Sequence, residues 1–204
     1  MRILPSGTTS LLVELDDLDQ VLALSAALRA HPPVGVVDLV PAARTVLLVA
    51  DPHLTSLAAL EAAVRGTSLL HVSPEGGGLV EIPVRYGGDD LTATAELLGC
   101  SPGALVRQHA AHDWRVAFSG FAPGFAYLTS PSWLHDVPRQ ATPRVRVPPG
   151  SVALAGEFSG IYPRASPGGW QIIGQTDLAV FDVAREPAAL LGPGCRVRFV
   201  EVDR

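Results

Sequence analysis

All twelve aromatic side chains of this 204-residue chain lie from Tyr86 onward, and none precedes it. Phe, Tyr and Trp bury the largest areas of any side chains, so a segment without them has to build its core from Leu, Val and Ala. Two cores of different make-up follow, and with them two domains, residues 1–80 and 81–204. An apolar content of 48% gives both enough material to bury.

The first segment reads as alternating strands and helices. Ser10–Leu15 is a strand, and Asp17-x-x-Gln20 then opens a helix with Leu18, Val21, Leu22, Ser25 and Leu28 at helical spacing. His31-Pro32-Pro33 ends it. The runs Val34–Val40 and Thr45–Ala50 form a hairpin through Pro41-Ala42-Ala43-Arg44. A second helix covers Ser56–Arg65, and a strand follows at Leu79–Arg85. This β-α-β-β-α-β order predicts a ferredoxin-like sandwich, although the last strand could equally open the next domain. The glycines at 76–78 are the linker candidate.

Beyond them, Asp89 or Asp90 caps a short helix, and Ser101-Pro102 starts another, Ser as N-cap and Pro at the first helical position. His109 falls four residues after Leu105 and so shares its apolar side, the place of a hydrogen-bonded core histidine unless it serves chemistry. From Trp114 on, short strands are predicted at 114–119, 126–128, 151–155, 170–174, 178–181 and 195–201, which makes a small β-barrel. Asp136–Pro149 holds four prolines and is expected to lie extended across the barrel as a rim.

Two stretches break the ordinary grammar of surface loops. SGFAPGFAYL (119–128) and SGIYPRASPGGW (159–170) set Gly and Pro beside Phe121, Phe125, Tyr127, Tyr162 and Trp170, where polar turn residues would be usual. They suit pocket walls; the alternative is tight corners whose rings plug the barrel ends. Between Val137 and Thr176 stand Arg139, Arg144, Arg146 and Arg164 against Glu157 alone, a local excess of +3 in a chain of net charge −5. Clustered guanidiniums beside rigid rings favour a small anionic ligand.

Composition excludes other classes. All fifteen cationic side chains are arginine, so this chain can neither carry biotin on a lysine, form a Schiff base nor supply a phosphate-loop lysine. There is no G-x-S-x-G elbow, and the acidic balance argues against general nucleic-acid affinity. Cys100 and Cys195 fit reduced thiols, His109-x-x-His112-Asp113 lacks a third metal ligand, and no run reaches membrane-spanning length. A cytoplasmic location and no metal are expected.

The motifs VRYGG (84–88), GFAPGFAYL (120–128), ATPRVRVPPGSVALAG (141–156), SGIYPRASPGGWQIIGQT (159–176) and GPGCRVRFV (192–200) resemble the family of 5-oxoprolinase B subunits, also called allophanate hydrolase subunit 1. The resemblance implies a ferredoxin-like N-terminal part and a cyclophilin-like barrel. It also implies one component of an enzyme that opens 5-oxoproline to glutamate with ATP, magnesium accompanying the nucleotide. Its implied partners are a C-type protein of the allophanate hydrolase subunit 2 kind and a separate A-type protein. On this resemblance the candidate ligand-binding residues are Phe121, Pro123, Phe125, Tyr127, Arg144, Arg146, Tyr162, Arg164, Ser166 and Trp170, and His109 is the candidate for proton transfer. Ala126, Phe158 and Gln175 stand where the family commonly has proline, glutamine and arginine. Two other functions stay open: a carboxyltransferase half acting on urea or an allophanate-like amide with a biotin carrier on another chain, and an inhibitory module that binds a histidine kinase.

Overall fold

The computed structural model describes residues 1–69 and 78–203. The chain divides into two compact units, Met1–Glu75 and Gly76–Arg204. Gly76 and Gly77, in the expected linker, lie outside the described residues.

The first unit contains β1 (Arg2–Ser6), β2 (Ser10–Glu14), α1 (Leu18–Ala30), β3 (Val36–Pro41), β4 (Thr45–Ala50) and α2 (Leu57–Gly66). Its antiparallel sheet has the order β1-β2-β4-β3. The helix starts follow from local chemistry: Asp17 accepts a hydrogen bond from the Gln20 N–H at 2.8 Å, and Ser56 accepts from the Ala59 N–H at 3.2 Å. Leu24, Leu28, Val46, Leu48, Leu60 and Val64 fill the aromatic-free core.

The ferredoxin-like sheet is present, with one change in the expected element order. The strand after α2 does not return to this sheet. Its edge position is filled from the N-terminus by β1, which pairs with β2 from Arg2↔Glu14 to Ser6↔Ser10. The order is therefore ββαββα. Pro5 hid β1 from sequence reasoning, because proline argues against a strand except at an edge, where one side of the backbone needs no partner.

The second unit contains β5 (Leu79–Tyr86), α3 (Leu91–Leu97), α4 (Pro102–Ala111), β6 (Trp114–Ser119), β7 (Ala126–Thr129), β8 (Arg144–Val147), β9 (Ser151–Ala155), β10 (Phe158–Ile161), β11 (Ser166–Gly168), β12 (Gln171–Gln175) and β13 (Arg196–Glu201). Seven strands close a barrel in the order β10-β7-β6-β13-β5-β12-β9, and β8 with β11 forms a separate two-stranded ribbon. Here β5 finds its place, parallel to β13 from Leu79↔Arg196 to Val84↔Glu201. The segment 178–181 is not a strand; Phe181 makes one isolated bridge to Ala189. Arg185 organises that region instead, donating to the carbonyls of Ala179, Pro187 and Ala188 at 3.0, 3.4 and 3.0 Å.

Two polar arrangements hold this unit together. Asp90 occupies the N-cap position of α3 but makes no side-chain cap bond. Its Oδ1 accepts from Arg144 Nη2 at 2.7 Å and from Gln140 Nε2 at 2.8 Å, while Oδ2 accepts from the Ile172 N–H at 2.7 Å. Gln140 also reaches Gln171, whose amide donates to the Pro138 carbonyl. One carboxylate thus ties the start of α3, the proline-rich strap and β12 together.

The other arrangement crosses the barrel core. α4 carries His109 inward beside Leu105, and the imidazole is wholly buried against Phe199 and Trp114, at ring-centroid distances of 4.3 and 5.2 Å. Nδ1 lies 2.7 Å from the Tyr86 hydroxyl and Nε2 lies 2.8 Å from Ser159 Oγ. Burial pushes the imidazole pKa down to about 3, with His112 adding to the effect, and burial raises that of the Tyr86 phenol. The ring is therefore neutral, one nitrogen donating and the other accepting between the Tyr86 and Ser159 hydroxyls.

Asp90→Asn is expected to lower stability by about 2 kcal/mol, below the range for a fully buried pair because Arg144 keeps some contact with water. Urea unfolding measures it, and an unchanged midpoint would remove Asp90 as the tie. His109 makes a pH prediction of definite sign. Below about pH 6.5 the unfolded chain protonates this residue while the folded chain does not, so stability falls as pH drops toward the folded value. The slope from this one group is up to about 1.4 kcal/mol per pH unit. His109→Gln should flatten that slope in parallel urea titrations while lowering stability near neutrality.

Candidate functional site

The two glycine- and proline-rich loops meet. Phe121, Phe125 and Tyr127 from the first, with Tyr162 and Trp170 from the second, wall a cleft of about 240 Å³. Arg139 and Pro143 of the strap and the Pro167–Gly169 backbone complete it. The rings pack edge to face: Phe125 lies 5.4 Å from Tyr162, 5.2 Å from Trp170 and 5.1 Å from Tyr127 between centroids. Phe125, Tyr162 and Trp170 are buried, whereas Phe121 is 59% exposed at the mouth.

The sequence dictates this geometry at a few positions. Gly160 on β10 lies so close to the rings that a Cβ there would stand 3.0 Å from both Phe125 and Trp170. The first loop is two successive turns: the Ala122 N–H bonds the Gly120 carbonyl at 2.7 Å, and the Phe125 N–H bonds the Ala122 carbonyl at 2.9 Å. The second has Pro123 and Gly124 at its centre, Gly124 at φ +81°, as a type II turn requires. The first is a γ-turn centred on Phe121 at φ +65°, and Phe121 is the one non-glycine residue at positive φ among the described residues. Holding an aromatic residue there costs on the order of 1–3 kcal/mol.

The cleft joins apolar rings to a few polar groups. Arg139 makes no ion pair among the described residues, and its charge acts on both the Tyr127 and Tyr162 phenols. Burial nevertheless keeps both phenol pKa values above the ordinary one, so both stay protonated near neutrality. The Tyr162 oxygen also interacts with the Trp170 backbone N–H, which leaves its own O–H to donate. Guanidinium and phenol groups around flat rings can hold a small carboxylate whose remaining body is compact and weakly polar.

The other expected ligand residues scatter. Arg144 spends one terminal nitrogen on Asp90, and its Nη1 is buried without a hydrogen-bond partner. Arg146 and Arg164 are exposed and line none of the clefts described. Pro123 is exposed in its turn, and Ser166 is half-buried on β11 with its Oγ unpartnered. His109 sits in the barrel core with both nitrogens engaged and no accessible surface, so no ligand in the aromatic cleft touches it. The cation that faces the rings is Arg139, counted in the basic cluster but not singled out.

Among the described residues, no group of three or more His, Cys, Asp and Glu side chains is placed to hold a metal ion, and no helix is long and apolar enough to cross a membrane.

Residues 1–191 match the family described as carboxyltransferase domain, subdomain C and D. A 5-oxoprolinase B subunit from Escherichia coli O157:H7 is 38% identical over 203 residues, covering 95% of this chain and 93% of the relative. The crystal structure of TTHA0988 superposes with a TM-score of 0.77 at 38% identity over 96% of this chain, which spans only 40% of that longer one. The urea carboxylase of Kluyveromyces lactis superposes with a TM-score of 0.78 over 100% of this chain and 23% of its own length; at 18% identity that likeness is one of fold. The match runs through both units and extends along nearly the whole of a relative: this chain belongs to the carboxyltransferase-domain family, subdomains C and D.

Proposed function

We propose that this chain is the B subunit of a 5-oxoprolinase and that the aromatic cleft is where it meets the lactam. The observation that carries the reading is Arg139, without an ion pair among the described residues, lining a cleft of about 240 Å³ with five rings. 5-Oxoproline is a small, nearly flat cyclic amide with one carboxylate. Arg139 holds that carboxylate, Phe125 and Trp170 pack the ring, and the Tyr127 and Tyr162 hydroxyls donate toward the lactam carbonyl. A relative of this size that is itself named as one lettered component of an enzyme supports a role within a larger assembly, and a C-type and an A-type protein are the partners in this reading.

ATP would activate the amide carbonyl as a transient phosphate, and the glycine pair Gly87–Gly88 does not fit it as a phosphate cradle. The cleft beside Gly87 and Gly88 holds about 460 Å³, but both of those N–H groups bond the Ile173 carbonyl. Its one cation, Arg85, is held by Asp177 at 2.7 and 2.8 Å. In this reading the nucleotide and its magnesium are held by another component of the assembly. His109 is given no proton-transfer step; it fixes the core behind the site.

The test is reconstitution: this chain with its A-type and C-type partners, ATP and 5-oxoproline should yield glutamate. A complete, folded set that forms none would end the assignment. Arg139→Gln is expected to raise KM for 5-oxoproline by one to two orders of magnitude, the worth of one charged hydrogen bond at about 1.5–3 kcal/mol. Steady-state kinetics read it, and a KM within about twofold of the original would move the carboxylate elsewhere.

A further inference from the structure

Phe121 sits in a conformation that its own burial does not explain. The γ-turn puts its φ at +65°, a region bulky side chains rarely enter and glycine enters freely. A strained residue inside a protein is normally held by packing, yet this ring is 59% exposed. Its ring contacts are edge-to-face ones with Phe125 and Tyr162, at centroid distances of 5.3 and 6.1 Å. A glycine would close the same turn without strain, and Gly120 immediately before it shows that the loop already uses that residue. The hydrogen bonds that fix the turn are backbone ones, from the Ala122 N–H to Gly120 and from the Gly120 N–H to Phe125 at 3.2 Å, so they do not depend on the side chain. What the side chain adds is a flat, exposed apolar surface on the cleft wall.

We infer that Phe121 is a specificity-determining residue, kept in a strained turn so that its ring closes over one face of a small planar cyclic carboxylate seated on Arg139. This rests on the assignment of the cleft to 5-oxoproline and adds to it the group that selects a flat ring over an open chain. The body of the ligand lies between Phe121 and the buried rings, and its binding covers the exposed face that the folded chain alone leaves in water. The strain is set aside for ligand contact, and folding does not need it.

The experiment uses the assembled enzyme with three variants of this chain: Phe121→Gly, Phe121→Tyr and Arg139→Gln. Phe121→Gly is expected to melt at or above the temperature of the original chain while KM for 5-oxoproline rises about tenfold, the order one aromatic contact is worth, with kcat within about twofold. Phe121→Tyr keeps the ring and should hold KM within about twofold. A fall in melting temperature of more than about 3 °C in Phe121→Gly would make the ring a structural one and overturn the inference. Loss of co-elution with the partner proteins would make it a protein contact and overturn it equally. An unchanged KM in Phe121→Gly beside a raised KM in Arg139→Gln would sink the role of Phe121 and leave the cleft assignment standing. Unchanged KM in both would sink the cleft assignment and the inference with it.

Discussion

A single buried carboxylate sets the geometry on which the rest of the barrel unit depends. Asp90 gathers Arg144, Gln140 and the Ile172 backbone N–H onto two oxygens. Two of those donors come from the strap and the third from β12, so the carboxylate fixes the strap against the barrel wall. Val137 anchors one end of the strap in the barrel core and exchanges backbone hydrogen bonds with Gly156, and the carboxylate holds the length that follows. Hydrogen bonds to a charged acceptor are directional and, away from water, strong. They fix where the strap crosses the barrel, and that crossing delivers Arg139 and Pro143 to the aromatic cleft.

The cleft uses the opposite kind of force. Its rings touch edge to face, and its floor is possible because Gly160 leaves room for them against β10. Apolar packing makes it rigid, while the polar groups are few and come from its edges: one guanidinium and two phenols. A site of that make-up is largely formed before any ligand arrives, so little ordering remains to oppose binding. The exposed Phe121 is the exception, and its strained backbone marks the one place where the cleft departs from what folding alone would favour.

His109 illustrates how a residue type suggestive of chemistry can serve the fold. Tyr86 and Ser159 take both of its nitrogens, and the surrounding rings keep it neutral. A neutral imidazole satisfied on both sides crosses an apolar core at low cost, where a charged one would not. Its partners lie on β5 and β10, on separate strands of the barrel wall, so the hydrogen bonds also register those strands against α4.

The sequence by itself determined whatever is settled within a few residues or by composition. The confinement of aromatics to the part after Tyr86 separated two cores, and Asp17, Ser56 and Ser101 announced helix starts because a cap bonds a backbone N–H three residues on. The glycine, proline and aromatic loops were legible as pocket walls for the same reason. Tertiary structure decided which sheet received β5, because a short apolar strand reads alike wherever it pairs. It also decided that Asp90 would meet Arg144, 54 residues away, instead of capping α3, and that Arg139 would be the cation left for the cleft. It placed His109 against Ser159, 50 residues distant, with no surface accessible to solvent. Three similar arginines in one proline-rich stretch carry no local mark of which will find a carboxylate. That choice belongs to the closed barrel, whose strand order brings distant segments to one side of one wall.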